Sequence, residues 1–457
     1  MRVVEFLDSF VGVHEDGLVA GRHEDRAPAE AENLPQVRPP AREAGGLFPF
    51  AVRGAAPYTS PGNESQESRS DMGVPAGLAR KILTSQQAGL MIVIVVLATV
   101  IAVAAGSQQV VVQQVRNEDG SVTLVKATRN KFLNADVLVG YATNTSVVAI
   151  MAVGMAAVII SAGIDLSVGS IYALAAVVGA MVLEYYGPTG SGRGLPIWGT
   201  LIGVAATMAV ALLCGLINGA GLVALKVHPF IITMGTMLVF RGIAFVSTKA
   251  RSIGDFPRPM TAMIKTDLGL SNLGIGIGLQ PVPMLVMLVI AVLGTLYLSY
   301  TVAGRHVYAV GGNPEAARFS GLRTSRVLLS VYVVVGFCAG VAAVVANGLY
   351  GAAQCARGEG YELKVIAAAV VGGASLSGGR GTAFGALLGA MLIALIEQGI
   401  ITLGIDQNYN YIIIGLAIVI AVVLDRLSSR TAERRLAAAR QRQIAPAGAG
   451  TEKGAET

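Results

Sequence analysis

"PVPMLVMLVIAVLGTLYLSY", residues 281–300, carries no ionisable group other than tyrosine. A helix needs about 20 consecutive apolar residues to cross a bilayer core, and this run supplies that length without a charge to desolvate. A second uncharged run, 327–351, follows after one polar loop. Repetition of such runs excludes an ordinary soluble domain, as does a composition 53% hydrophobic and 14% charged. The chain reads as an all-α polytopic membrane protein.

Working outward, about ten hydrophobic elements are expected, at 88–106, 142–162, 168–186, 197–225, 229–248, 282–300, 327–349, 361–378, 382–403 and 409–425. The eighth, with "LKVIAAAVVGGASL", is short and glycine-rich and reads as a broken or partly inserted helix. An even number of crossings puts both termini on one side. Arg80 and Lys81 precede the first crossing and the Arg-rich stretch 426–442 follows the last, so the positive-inside rule places that side in the cytoplasm. Loop 301–326 then also faces inward, with Arg305, Arg318, Arg323 and Arg326 against the single acid Glu315. Loop 107–131, assigned outside, runs against the rule with Arg116, Lys126, Arg129 and Lys131. Its polar alternation reads as a hairpin turning at Asp119-Gly120, an external flap.

Residues 1–71, dominated by Pro, Glu, Arg, Gly and Ser, read as a disordered leader without the apolar core of a signal peptide. Translation from Met72 is the alternative. The chain thus divides into a leader (1–71), a transmembrane domain (72–427) and a basic cytoplasmic tail (428–457). That tail suits an anchor beside membrane lipid better than a nucleic-acid site. Cys214, Cys338 and Cys355 lie in or beside apolar runs without metal-ligand spacing and read as small core residues. Gly385 with Gly389, and Gly336 with Gly340, sit four residues apart inside spans, where they allow close helix packing.

The loop after the opening run contains "GGNPEAARFSGL", 311–322. Asn313 is a favoured N-cap, Pro314 suits the first helical position, Glu315 suits the positive helix start, and Gly321 is a natural stop. Gly311 and Gly312 lead into this short helix of about two turns. Ala316 and Ala317 give it a low profile, and Arg318 offers a charged contact. A helix so short is unstable alone in water, so its neighbours or a partner must hold it.

Three stretches in order, "SAGIDLSVGSIYALAA" (161–176), "KVHPFIITMGTMLVFRGIAF" (226–245) and "GRHVYAVGGNPEAARFSGL" (304–322), resemble the ribose-type branch of bacterial ABC transporter permeases. The resemblance covers roughly 88–427. It implies a type II importer-like permease of the bacterial cytoplasmic membrane, paired as a homodimer and passing a monosaccharide such as ribose or xylose. It also implies that residues 311–321 couple to a separate ATP-binding subunit, which holds ATP and Mg2+, while an external sugar-binding protein delivers substrate. The residues agree on one point: no G-x-x-x-x-G-K-[ST] phosphate loop occurs, so energy comes from another subunit or an ion gradient. The leader and the charged flap depart from the family pattern. Rival readings are a permease for nucleosides or other small polar solutes, and an ion-coupled secondary transporter. No catalytic constellation or metal cluster assembles from the motifs, and no cofactor is expected on this chain.

Polar groups in the spans leave alternatives open. Asp165 and Ser167, between Gly163 and Gly169, either meet substrate or break and cap a helix. Arg241 reads as a snorkelling side chain or a docking contact, and Glu397 takes no role without a partner. A sugar pathway needs hydrogen-bonding groups that do not bind too tightly, so amides and hydroxyls fit better than fixed charges, and Asn144, Asn218, Thr233, Thr236, Asn347, Gln398 and Asn410 are the candidates. Each is weighed against a plain helix–helix hydrogen bond.

Overall fold

The structure, a computed structural model, describes residues 86–116, 122–266, 281–417, 419–420 and 423. The leader, the Met72 start, Arg80 and Lys81, the Asp119-Gly120 turn and the basic tail lie outside the described residues.

Helix α1 (Gln86–Ala105) runs into a hairpin of β1 (Ser107–Arg116) and β2 (Val122–Asn130), paired antiparallel from Ser107 opposite Asn130 to Arg116 opposite Val122. The helices α2 (Ala135–Ile160), α3 (Val168–Tyr185), α4 (Pro196–Leu225) and α5 (Pro229–Thr248) follow, then the short α6 (Arg258–Lys265) and the long α7 (Val282–Tyr300). Two short helices come next, α8 (Val302–Gly312) and α9 (Pro314–Phe319), then α10 (Thr324–Tyr350), α11 (Tyr361–Val371) and α12 (Ala383–Leu403).

Eight of these helices are long and apolar enough to cross a membrane: α1 to α5, α7, α10 and α12. They coincide with eight of the ten expected elements. Element 361–378 is the broken one. Its helix α11 has 11 residues, about 16 Å, against a hydrocarbon core of about 30 Å. Of the last element, residues 409–417 are helical.

Local chemistry sets the helix starts. Pro196, Pro229 and Pro314 occupy first-turn positions where a missing N–H costs nothing. The side chains of Asn134, His228 and Thr382 accept from Asp136, Phe230 and Gly385 backbone N–H groups at 3.3, 3.3 and 2.9 Å. Up-and-down connectivity gives the bundle two ends. The hairpin, the start of α2 and the ends of α3, α5, α10 and α12 share one, called here the hairpin end. The ends of α2, α4 and α7, with α8 and α9, share the other, the coupling end.

Burial sorts the bundle into layers. Helix α2 is buried over most of its length against α10, α11 and α12, whereas α1, α5 and α7 turn most of their surface outward. The paired glycines set the packing distances. A Cβ on Gly389 would strike the carbonyl of Ala368 in α11, and one on Gly336 would lie 2.6 Å from the carbonyl of Ala211 in α4. Helix backbones therefore touch directly.

Gly389→Val should cost about 1–3 kcal/mol through overpacking and lower the midpoint in a detergent thermal-stability assay. Gly140→Ala meets open space on α2, so its midpoint should stay level or rise.

Candidate functional site

At the coupling end the sequence 311–322 folds as its residues dictate. Asn313 Oδ1 accepts from the Ala316 N–H at 2.9 Å, Pro314 opens α9, and Glu315 stands exposed in the first turn. The helix is six residues long, about 9 Å. Gly321, at φ +82°, ends it. The Leu322 N–H donates to Ala317 O at 3.1 Å and the Gly321 N–H to Arg318 O at 3.0 Å, the paired bonds of a Schellman stop. Ala317 is buried beneath the helix, while Ala316 and Arg318 face outward.

Two features were not legible in advance. Phe319, 80% exposed, projects from the tip with the Arg318 guanidinium 5.8 Å from its ring centroid. The residues before the loop helix also form a helix of their own, α8, started by Thr301 Oγ1 accepting from the Gly304 N–H at 2.9 Å.

Helix α8 ends on a glycine junction. Gly311 is buried, and a Cβ there would strike Ile160 O at the end of α2 and lie 2.9 Å from Gly379 N. Gly379 in turn donates its N–H to Ile160 O at 2.8 Å, and a Cβ on Gly379 would lie 2.9 Å from the Cα of Gly312. Tyr308 Oη donates to Gly381 O at 2.7 Å, and burial raises the pKa of that phenol above its ordinary value, keeping it a donor. Backbone thus meets backbone between the loop helices, the end of α2 and the 372–381 loop that leads into α12.

Beyond this junction lies a buried break. Ala162 has φ +62°, and the chain turns through 161–167 before α3. Gly163 fits because a Cβ would lie 3.1 Å from Tyr332 Oη. Asp165 is fully buried, and its Oδ1 accepts from the Ser167 N–H and Oγ–H at 2.7 and 2.6 Å, a local turn just ahead of α3. Asn218 Nδ2 donates to Ser167 Oγ at 2.7 Å, and Tyr332 Oη to Ile164 O at 3.1 Å. Asn218 is seven residues from the end of α4, so this break lies about 10 Å inside the bundle.

A second dip comes from the hairpin end. Arg241 donates Nη1 to Cys355 O and Arg357 O at 3.0 and 3.1 Å, and Nη2 to Gly358 O at 3.1 Å. Its guanidinium thereby staples the 351–360 loop. Arg241 is seven residues from the end of α5, which again sets the contact about 10 Å deep. The two dips meet at Gly169, where a Cβ would strike Gly358 O.

Above the second dip a cavity of about 290 Å³ opens between α2, α10, α11 and α12. Tyr141 and Asn144 come from α2, Tyr350 from α10, Tyr361 and Lys364 from α11, and Glu397 and Gln398 from α12. Lys364 Nζ and Glu397 Oε1 pair at 2.6 Å. Tyr350 Oη donates to Asn144 Oδ1 at 3.2 Å, Gln398 Nε2 to Thr402 Oγ1 at 3.2 Å, and the Arg357 guanidinium lies 3.7 Å from the Tyr350 ring centroid.

Of the seven neutral candidates, the structure brings Asn144 and Gln398 together in this cavity. Asn218 and Asn347 bridge elements, the latter donating to Ala176 O at 2.9 Å. Thr233 bonds Pro229 O at 3.0 Å and Ile164 O at 3.3 Å, and Thr236 bonds Ile232 O at 3.1 Å. Asn410 stands apart, in the helical turns at 409–417. Glu397 has the partner that its sequence context did not reveal, since Lys364 lies on another helix.

Residues 137–422 match the family described as branched-chain amino acid transport system / permease component. The chain is 34% identical over 306 residues to the ribose import permease protein RbsC of Escherichia coli (strain K12), a match covering 66% of this chain and 90% of that protein. It is 35% identical to the D-allose transport system permease protein AlsC of the same strain, over 65% of this chain and 86% of that one. It is also 33% identical to the fructose import permease protein FrcC of Rhizobium meliloti, over 65% and 79%. No solved structure matches.

Arg241→Ala should free the 351–360 loop. Cys355, now 3% exposed, should then label with a polar maleimide at least about tenfold faster in a Cys214→Ala/Cys338→Ala background, because three part-buried carbonyls lose a charged donor. An unchanged labelling rate would mean that the loop is held by packing alone.

Proposed function

Because the chain belongs to this family of transport-system permease components, we propose that it is the membrane-spanning subunit of an ATP-driven importer that passes a monosaccharide into the cell. The names of its relatives support the solute class: ribose, D-allose and fructose. In this reading the coupling end faces the cytoplasm and the hairpin end faces outward. A separate ATP-binding subunit holds ATP and Mg2+ and receives α9, an external sugar-binding protein delivers substrate at the hairpin end, and two permeases pair.

The observation that carries the reading is one continuous mechanical path. Capped at Asn313 and closed at Gly321, α9 is a preformed unit with Phe319 presented for a partner groove. Its movement passes through α8 to the glycine junction, where Gly311 bears on the last carbonyl of α2 and on the loop before α12. Those same two helices reach the polar cavity with Asn144, Glu397 and Gln398. A push at the loop helices therefore reaches the cavity walls through backbone contacts, without soft side chains between. A two-state rearrangement of packed elements transmits such a push better than gradual bending.

The test is co-purification with the candidate ATPase. Phe319→Glu and Glu315→Arg should abolish association while the membrane fold persists by size-exclusion profile. Asn313→Ala, which removes a cap worth about 1 kcal/mol, should weaken it. Proteoliposomes of the wild-type complex with its binding protein should accumulate at least one of D-ribose, D-allose and D-fructose only with ATP. Association that survives both charge changes, together with uptake that an uncoupler abolishes, would favour an ion-coupled transporter.

A further inference from the structure

Lys364 and Glu397 are 24% and 25% exposed, and a partly solvated pair adds little to stability. Ionisable groups placed inside membrane spans are costly and mark solute paths by default. The pair sits well below the surface, since Glu397 is six residues from the end of α12, about 9 Å. It is also held firmly, because the backbone contacts of Gly385 and Gly389 on Gly372 and Ala368 fix α12 against α11. Apart from tyrosines, these two are the ionisable residues in the wall, so its formal charge is zero.

We propose, resting on the importer reading above, that the Lys364–Glu397 pair is the selectivity element of a sugar-binding site in this cavity. It receives two adjacent hydroxyls of a neutral monosaccharide and turns away charged solutes. An ammonium offers donors and no acceptor, and a carboxylate offers acceptors and no donor. A vicinal diol supplies both: one hydroxyl donates to Glu397 and its neighbour accepts from Lys364, so the solute enters between the two charges without leaving either unpaired. An anionic solute meets the carboxylate, and a cationic one meets the ammonium. Tyr141, Tyr350 and Tyr361 line the cavity with aromatic rings, and Asn144 and Gln398 add neutral hydrogen-bonding groups. The volume agrees: a cavity of about 290 Å³ has room for a sugar ring.

The test is binding of radiolabelled D-ribose, D-allose and D-fructose to the intact permease–ATPase complex in nanodiscs, with D-ribonate and D-glucosamine as charged competitors. Working without the external binding protein isolates the selectivity of this chain. Glu397→Gln should weaken binding of the neutral sugar at least about tenfold and let D-ribonate compete. Lys364→Gln should weaken it similarly and let D-glucosamine compete. The exchange Lys364→Glu/Glu397→Lys should restore neutral-sugar binding, and it decides the matter if a single variant fails to assemble. Sugar binding within about twofold of wild type in both single variants would overturn the assignment, as would an assembled exchange variant, or a wild type, that binds none of the three sugars. Wild-type proteoliposomes without ATP-driven accumulation of any of them would instead overturn the importer reading.

Discussion

A carbonyl that leaves a helix inside a membrane has no water to turn to, so protein must supply its donor. The rest of this structure depends on that constraint. The chain breaks its helices at 161–167 and at 351–360, and each break is kept by side chains aimed at backbone oxygens. Tyr332 and Thr233 serve Ile164, and the one side chain of Arg241 donates to Cys355, Arg357 and Gly358. An unsatisfied group in that setting costs several kcal/mol.

Those satisfied breaks let the ends of the bundle communicate. Because 161–167 and 372–381 are ordered next to α8, Gly311 can rest on Ile160 and Gly379. Any side chain at these glycines would separate the elements and interpose rotatable bonds. The same absence of side chains along Gly385 and Gly389 holds α12 to α11, which keeps Lys364 opposite Glu397. Close packing in the spans and placement of the polar cavity have one cause.

The broad architecture was legible because it rests on local quantities. Uncharged length decided the spans, and the glycine-rich "AVVGGASL" marked the helix that stops early. Asn313, Pro314 and Gly321 named their own loop helix, since capping acts between residues two to five apart. The loop's second helix, α8, escaped notice: its start depends on Thr301 but its persistence depends on Gly311 and Tyr308 meeting distant backbone. Phe319 escaped for the opposite reason, because its exposure reflects the packing of Ala317 on the other face of the helix.

The sequence by itself determined a multi-span helical membrane protein with a capped loop helix and its membership of a permease family, since hydrophobic length, caps and motif order are written residue by residue. Only the tertiary structure decided which polar residues meet. It gathered Asn144 and Gln398 into one cavity and gave Asn218 and Asn347 to helix contacts. It turned Arg241 into a staple and joined Lys364 to Glu397 across two helices. Periodicity shows which residues share a face of one helix, whereas the face that a neighbouring helix presents is set by glycine contacts between segments far apart in the chain.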